Sequence, residues 1–74
     1  MMRRDEFNAV VTGVEYVVNH SMQEGWDVYG EVGNTRFSVF VPHHLVEIDS
    51  DQDSDTVEQM VINVAYQLIT YDFE

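Results

Sequence analysis

The chain has 74 residues, no cysteine, and 14 acidic residues against three arginines and no lysine, so its formal net charge is −11. This length supports one hydrophobic core, and a hydrophobic content of 45% is typical of a globular protein, so we expect a single acidic domain over residues 1–74. The missing cysteines exclude disulfides and thiolate sites, and the negative charge argues against direct binding to nucleic acid or to anionic membranes.

A first helix is predicted near the start of the chain. Its apolar face would consist of residues at helical three- and four-residue spacing, namely Phe7, Val10, Val11, Val14, Val17 and Val18. We therefore expect a helix over residues 5–23, capped by Asp5 and ended by Gly25. Gly13 would lie inside it at a cost of about 1 kcal/mol relative to alanine.

A β-hairpin is predicted over residues 26–41, because apolar and polar residues alternate there with a period of two. Gly33 and Asn34 suit a two-residue turn that begins with glycine. This turn predicts a register with four pairs, namely Trp26 with Val41, Val28 with Val39, Gly30 with Phe37, and Glu31 with Arg36. The first three pairs would face the core, and the fourth would be a cross-strand ion pair.

A third strand at residues 45–48 and a second helix at residues 56–71 complete the predicted fold. Pro42 ends the hairpin because it cannot donate to a strand ladder, and Asp55 with Glu58 has the form of a capping box. The predicted class is α+β, in the order α-β-β-β-α, with an antiparallel sheet and both helices packed on one face.

The second helix carries more apolar surface than one face requires. The additional stripe consists of Ile62, Tyr66, Ile69 and Phe73. The stripe is explained either by burial within the domain or by contact with a partner or a second copy of the chain, so a homodimer is one expectation.

Residues 47–58, which we call the acidic segment, are the main candidate binding site. Acidic residues recur there at Glu47, Asp49, Asp51, Asp53, Asp55 and Glu58, around an acidic loop at residues 49–55. A helix needs one capping side chain, so the other carboxylates are free to bind a basic partner, with help from Asp27 and Glu31 on the hairpin.

A calcium loop is an alternative for the acidic segment, because its acids resemble in spacing those of an EF-hand. The pattern departs from the EF-hand at two positions. An EF-hand loop has aspartate at its first position and glycine at its sixth, whereas this chain has Glu47 and Gln52 there. No other metal site and no cofactor are predicted, since the neighbouring His43 and His44 would point to opposite faces of an extended segment. The chain also lacks nucleophile-elbow and phosphate-loop motifs, so we do not expect an enzyme.

The charge and the acidic segment together resemble the loose class of small acidic phage-borne inhibitors, including anti-CRISPR and anti-restriction proteins of the DNA-mimic type. This is a resemblance of class, and no single family is indicated. It implies a protein-binding inhibitor whose carboxylates replace phosphates on a basic, nucleic-acid-binding protein. Arginine side chains that hold phosphate also pair with carboxylates, which gives the comparison a physical basis.

Two other interpretations remain open. The acidity can reflect adaptation to salt in a small structural domain, or the function can lie in a homodimeric adaptor that uses the stripe of the second helix. No apolar run is long enough for a signal peptide or a membrane span, so a cytoplasmic location is expected, in the host cytoplasm if a phage encodes the chain.

Overall fold

A short helix opens the chain and continues directly into the first of three strands. In the computed structural model, which describes residues 3–72, α1 spans Arg4–Val10, and the strands β1, β2 and β3 span Val11–Val18, Glu24–Val32 and Thr35–Pro42. A single 3₁₀ turn at His43–Leu45 follows, and α2 spans Ser54–Asp72. The α+β class and the order α-β-β-β-α are therefore as predicted.

The predicted hairpin is confirmed in its turn and in its register. β2 and β3 are antiparallel, with Trp26 opposite Val41 and Glu31 opposite Arg36. Gly33 has a φ of 61°, a left-handed conformation that favours glycine and fixes the two-residue turn. β3 ends at Pro42, as its missing N–H requires.

The prediction of a helix over residues 5–23 is wrong beyond Val10, because β1 pairs antiparallel with β2 and is the first strand of the sheet. β-branched residues dominate β1, and they pack better on a pleated sheet than in a helix. Gly13 is opposite Tyr29 across the strands, and the aromatic ring takes the space that a side chain at Gly13 would occupy. Asp5 lies inside the first turn of α1, where Arg3 holds the cap position without a side-chain bond, and Gly25 is a buried residue of β2.

The predicted third strand at residues 45–48 is also wrong. After Pro42 the chain turns away from the sheet, and the N–H of Val46 donates to the carbonyl of His43 over 3.2 Å. Val46 is buried in the core, whereas Leu45 and Ile48 are exposed, so one of the three apolar residues of this stretch packs inward. The sheet already has its third strand in β1.

The helix α2 begins earlier than predicted, and its cap is Asp53 rather than Asp55. The backbone N–H of Thr56 donates to Oδ1 of Asp53 over 2.8 Å, which is the geometry of an aspartate cap. Asp55 lies in the first turn, where its charge is favourable to the helix dipole. Within residues 3–72, neither helix combines the length and hydrophobicity that a bilayer crossing requires.

The core lies between the sheet and the two helices, which both pack on one face, as predicted. Its buried members come from every layer and are Phe7, Trp26, Val28, Val41, Val46, Val61, Ile62 and Ala65. Phe37 and Val39, also predicted for the core, are half-buried and pack against it. Neither α1 nor α2 packs on the second face of the sheet, so the two faces present different side chains to their surroundings.

Candidate functional site

The acidic segment lies between the end of β3 and the first turns of α2, and its six carboxylates are exposed. Asp53 begins α2 as its cap, while Asp55 and Glu58 follow in the first turns. Within residues 3–72 no arginine forms an ion pair with this segment: Arg3 pairs with Glu6, and Arg36 pairs with Glu31. The segment is therefore a strongly anionic surface whose charge is not neutralised by the described part of its own chain.

Local hydrogen bonds give the acidic segment a defined shape. The N–H of Gln52 donates to the carbonyl of Asp49, and the N–H of Asp49 donates to Oε1 of Gln52, both over 3.1 Å. These reciprocal bonds close a turn that directs the chain into α2. Hydrogen bonds from the hydroxyl of Thr56, and then from its backbone N–H, hold the pKa of Asp53 below its ordinary value.

A cleft of about 510 Å³ lies between the acidic segment and the inner face of β1 and β2. Its apolar lining consists of Val14, Tyr16, Trp26, Ile48 and Val57. Its polar lining consists of Gln52, Asp53, Ser54 and Glu58. Tyr16 is 48% exposed and Ile48 is 41% exposed, so two of the exposed large apolar side chains lie beside the carboxylates.

An aromatic cluster adjoins this cleft, and two of its rings, those of Tyr16 and Trp26, line it. The ring of His43 stacks on Trp26 with centroids 5.3 Å apart, and Tyr16 contacts Trp26 edge-on at the same separation. The Tyr16 hydroxyl donates to Oε2 of Glu24 over 2.9 Å. Partial desolvation, followed by this bond and the charge of Glu24, raises the pKa of Tyr16.

Tyr16 and His43 were not among the predicted site residues. Tyr16 was missed because the predicted first helix ran through it, whereas its position in β1 puts it opposite Trp26. The β-branched residues on both sides of Tyr16 are the sequence signal that could have identified a strand there. No comparable signal marks His43, whose stacking depends on the turn after Pro42.

Asp27 and Glu31 do not join the acidic segment. Their strand neighbours Trp26 and Val28 face the helices, so alternation along β2 places both carboxylates on the opposite face of the sheet. Glu31 is also paired with Arg36 at 4.0 Å, as predicted. The eight acidic residues predicted as one site thus divide into a group of six and a separate pair.

The additional stripe on α2 is largely accounted for by packing within the chain. Ile62 is only 8% exposed, and Tyr66 and Ile69 are half-buried against the core. Tyr66 contacts the ring of Phe7 at 5.7 Å. Phe73 lies outside the described residues. The apolar surface that suggested a homodimer is therefore mostly covered, and the homodimer itself stays a prediction.

The acidic segment does not gather its carboxylates around a common point. Among residues 3–72, no three histidine, aspartate or glutamate side chains come together in an arrangement that could hold a metal ion. Gln52, where an EF-hand has glycine, bonds within the loop instead. The calcium alternative consequently has no support in the geometry of the described residues.

The exposed carboxylates can attract cations, and the adjoining cleft can hold an apolar or aromatic group. No protein-family model matches the sequence, and neither a curated protein nor a solved structure is detectably similar to it.

Proposed function

We propose that this chain is a non-catalytic protein-binding module whose acidic segment docks on a basic surface of another protein. The observation that carries the proposal is the group of six exposed carboxylates without a cationic partner among residues 3–72. Such a group attracts basic surfaces over several ångströms and accelerates their encounter with the chain. The adjoining cleft supports the proposal, because it offers apolar contact area that charge alone does not provide.

The class of partner follows from the same chemistry. Carboxylates on a defined scaffold pair with arginine and lysine groups that otherwise hold phosphate, so a nucleic-acid-binding protein is the proposed target. Inhibition of a host defence protein by a phage-encoded chain, in the cytoplasm of that host, is the biological setting that we propose. Anti-CRISPR and anti-restriction activity are examples of the inhibition that we propose.

The test compares three immobilised proteins for capture from a bacterial lysate. They are the wild type, the loop variant Asp49→Asn/Asp51→Asn, and the control variant Asp5→Asn/Glu6→Gln, which removes the same charge from α1. We expect the wild type and the control to retain the same basic protein, and the loop variant to lose most of it. Raised salt should weaken capture by the wild type more than residual capture by the loop variant.

Asp53 is left unchanged in this test because it caps α2. A loop variant that captures the same protein with the same dependence on salt contradicts the proposal. Equal losses in the loop variant and the control would point to net charge rather than to the acidic segment.

A further inference from the structure

The face of the sheet opposite the helices has a regular pattern of side chains. Its central nine positions form three rows across the strands, namely Gly13–Tyr29–Ser38, Glu15–Asp27–Phe40 and Val17–Gly25–Pro42. Both helices pack on the other face, through the core residues of all three strands. Tyr29 is accordingly 39% exposed although it lies on the central strand.

Two aromatic rings on this face lean over glycines of neighbouring strands. A Cβ atom built on Gly13 would lie 2.8 Å from Cε2 of Tyr29, and one built on Gly25 would lie 2.8 Å from Cζ of Phe40. Both separations are shorter than real contacts, so the rings occupy the space that the glycines leave free. The ring of Tyr29 thus lies over Gly13 in the row before the two carboxylates, and the ring of Phe40 lies over Gly25 in the row after them.

The middle row places two carboxylates directly opposite each other. Glu15 on β1 pairs with Asp27 on β2, and like charges at opposed positions destabilise a sheet. Asp27 is half-buried, and within residues 3–72 its carboxylate forms neither a hydrogen bond nor an ion pair. Arg36, which lies on this face, already pairs with Glu31.

We propose that this open sheet face docks an arginine-bearing segment of a basic partner. The guanidinium group lies between Glu15 and Asp27, where it relieves their repulsion, and it stacks on the ring of Phe40 or Tyr29. A planar guanidinium suits this site better than an ammonium, because it pairs with carboxylates in a fixed geometry and stacks on aromatic rings.

Charge complementarity selects this occupant over a second copy of the chain. Two copies packed face to face would bring four carboxylates together, with a net charge of −11 on each protein. The inference rests on the basic partner proposed above and adds a second contact on the far side of the molecule. The two contacts are separable, because they use different residues on opposite sides of the sheet.

The first part of the test measures thermal unfolding at low salt. We expect Glu15→Gln to raise the melting temperature, since it removes repulsion with Asp27. The control Glu31→Gln removes the same charge from the same face but breaks an ion pair, so it should not raise the melting temperature. If Glu15→Gln is no more stable than the wild type, the two carboxylates do not repel each other and the inference loses its basis.

The second part uses hexa-arginine and hexa-lysine peptides as probes, with binding followed by backbone amide shifts in solution NMR. We expect hexa-arginine to shift amides of residues 13–17, 25–29 and 38–41, and to bind more tightly than hexa-lysine. The variant Glu15→Gln/Asp27→Asn should weaken hexa-arginine binding at the sheet by about fivefold or more. The control variant Asp49→Asn/Asp51→Asn should leave the sheet shifts in place.

The possible outcomes separate this inference from the proposed function. Shifts confined to residues 47–58 overturn the inference and leave the acidic segment as the docking site. Sheet shifts that the double variant abolishes support the inference, even if the acidic segment shows none. A wild-type dimer that Tyr29→Glu converts to a monomer assigns the face to a second copy and overturns the inference, and no shift at either surface argues against both proposals.

Discussion

Asp53 combines two roles that the sequence pattern had assigned to different residues. It belongs to the acidic segment, and its carboxylate also accepts a hydrogen bond from the backbone N–H of Thr56 at the start of α2. The prediction gave the cap to Asp55 and treated Asp53 as surplus charge. Both positions fit the sequence pattern of a cap, because aspartate recurs at every second residue and only the helix start distinguishes them.

We expect Asp53→Ala to lower the melting temperature at neutral pH by several degrees, because α2 loses its cap. Asp55→Ala should lower it less, since Asp55 contributes only its charge near the helix start. Thermal unfolding followed by circular dichroism measures both changes. Equal effects of the two substitutions would show that the cap is shared or absent in solution.

The stability that Asp53 contributes as the cap of α2 depends on pH in a defined direction. The pKa of Asp53 is lowered in the folded chain, so its contribution to stability is fully present above the pKa of the unfolded state. The contribution is lost as the pH falls through the lower, folded-state pKa. The difference between the wild type and Asp53→Ala should therefore be constant near neutral pH and shrink on acidification, which unfolding curves at several pH values will measure.

At the scale of elements, the hairpin was predicted correctly and β1 was not, although its β-branched residues were a signal for a strand. Alternation, a glycine-first turn and a cross-strand ion pair all indicate one register for β2 and β3, and that register is confirmed. The valines of β1 also have the spacing of a helix face, which favoured the predicted helix, whereas the structure pairs them with β2. The predicted strand at residues 45–48 was wrong for a similar reason, because a short apolar run fits a turn with one buried side chain as well as it fits a strand.

The turn between β1 and β2 contains a signal that identifies it. Oδ1 of Asn19 accepts hydrogen bonds from the N–H groups of Ser21 and Gln23, over 2.9 and 3.0 Å. The N–H of Asn19 also donates to the carbonyl of Gln23, and Met22 has a φ of 63°. An asparagine followed by polar residues is a common start of a turn, so Asn19 could have ended the predicted helix.

We expect Asn19→Ala to destabilise the fold by about 1–2 kcal/mol, because two backbone donors of the turn lose their partner. The matched control is Asn34→Ala in the turn between β2 and β3, which should cost less than about 0.5 kcal/mol. Chemical denaturation measures both free energies of unfolding. A negligible cost for Asn19→Ala would contradict this account of how β1 is held against β2.

The candidate site was predictable in composition but not in arrangement. The six acids of the acidic segment follow one another in sequence, so proximity in the chain was sufficient to group them. Asp27 and Glu31 were added on charge alone, and the pleat of β2 puts them on the other side of the sheet. The cleft beside Tyr16 is lined partly by Val14 and Tyr16 of β1, a strand that was not predicted.

At the scale of the whole molecule, the charges act on one another across the entire domain in dilute buffer. The longest dimension of the molecule is 35 Å, and the screening length is about 30 Å in 10 mM salt but about 8 Å in 150 mM salt. The net charge of −11 therefore destabilises the folded chain most strongly at low salt.

We expect the chain to remain folded in 10 mM salt and its melting temperature to rise by several degrees on addition of 150 mM sodium chloride. Circular dichroism at both salt concentrations measures the change. A salt-adapted domain should instead lose its secondary structure in dilute buffer and continue to gain stability up to molar salt. That second behaviour would favour solvation chemistry over recognition as the reason for the acidity.

The position of α2 in the chain has a consequence for synthesis on the ribosome. The three strands follow one another through short turns, so the sheet is complete in sequence before residue 43. The helix that covers Val28 and Val41 begins only at Ser54. A nascent chain therefore leaves part of the apolar face of the sheet without its helical cover until α2 has emerged, and an uncovered apolar face is prone to aggregate in that interval.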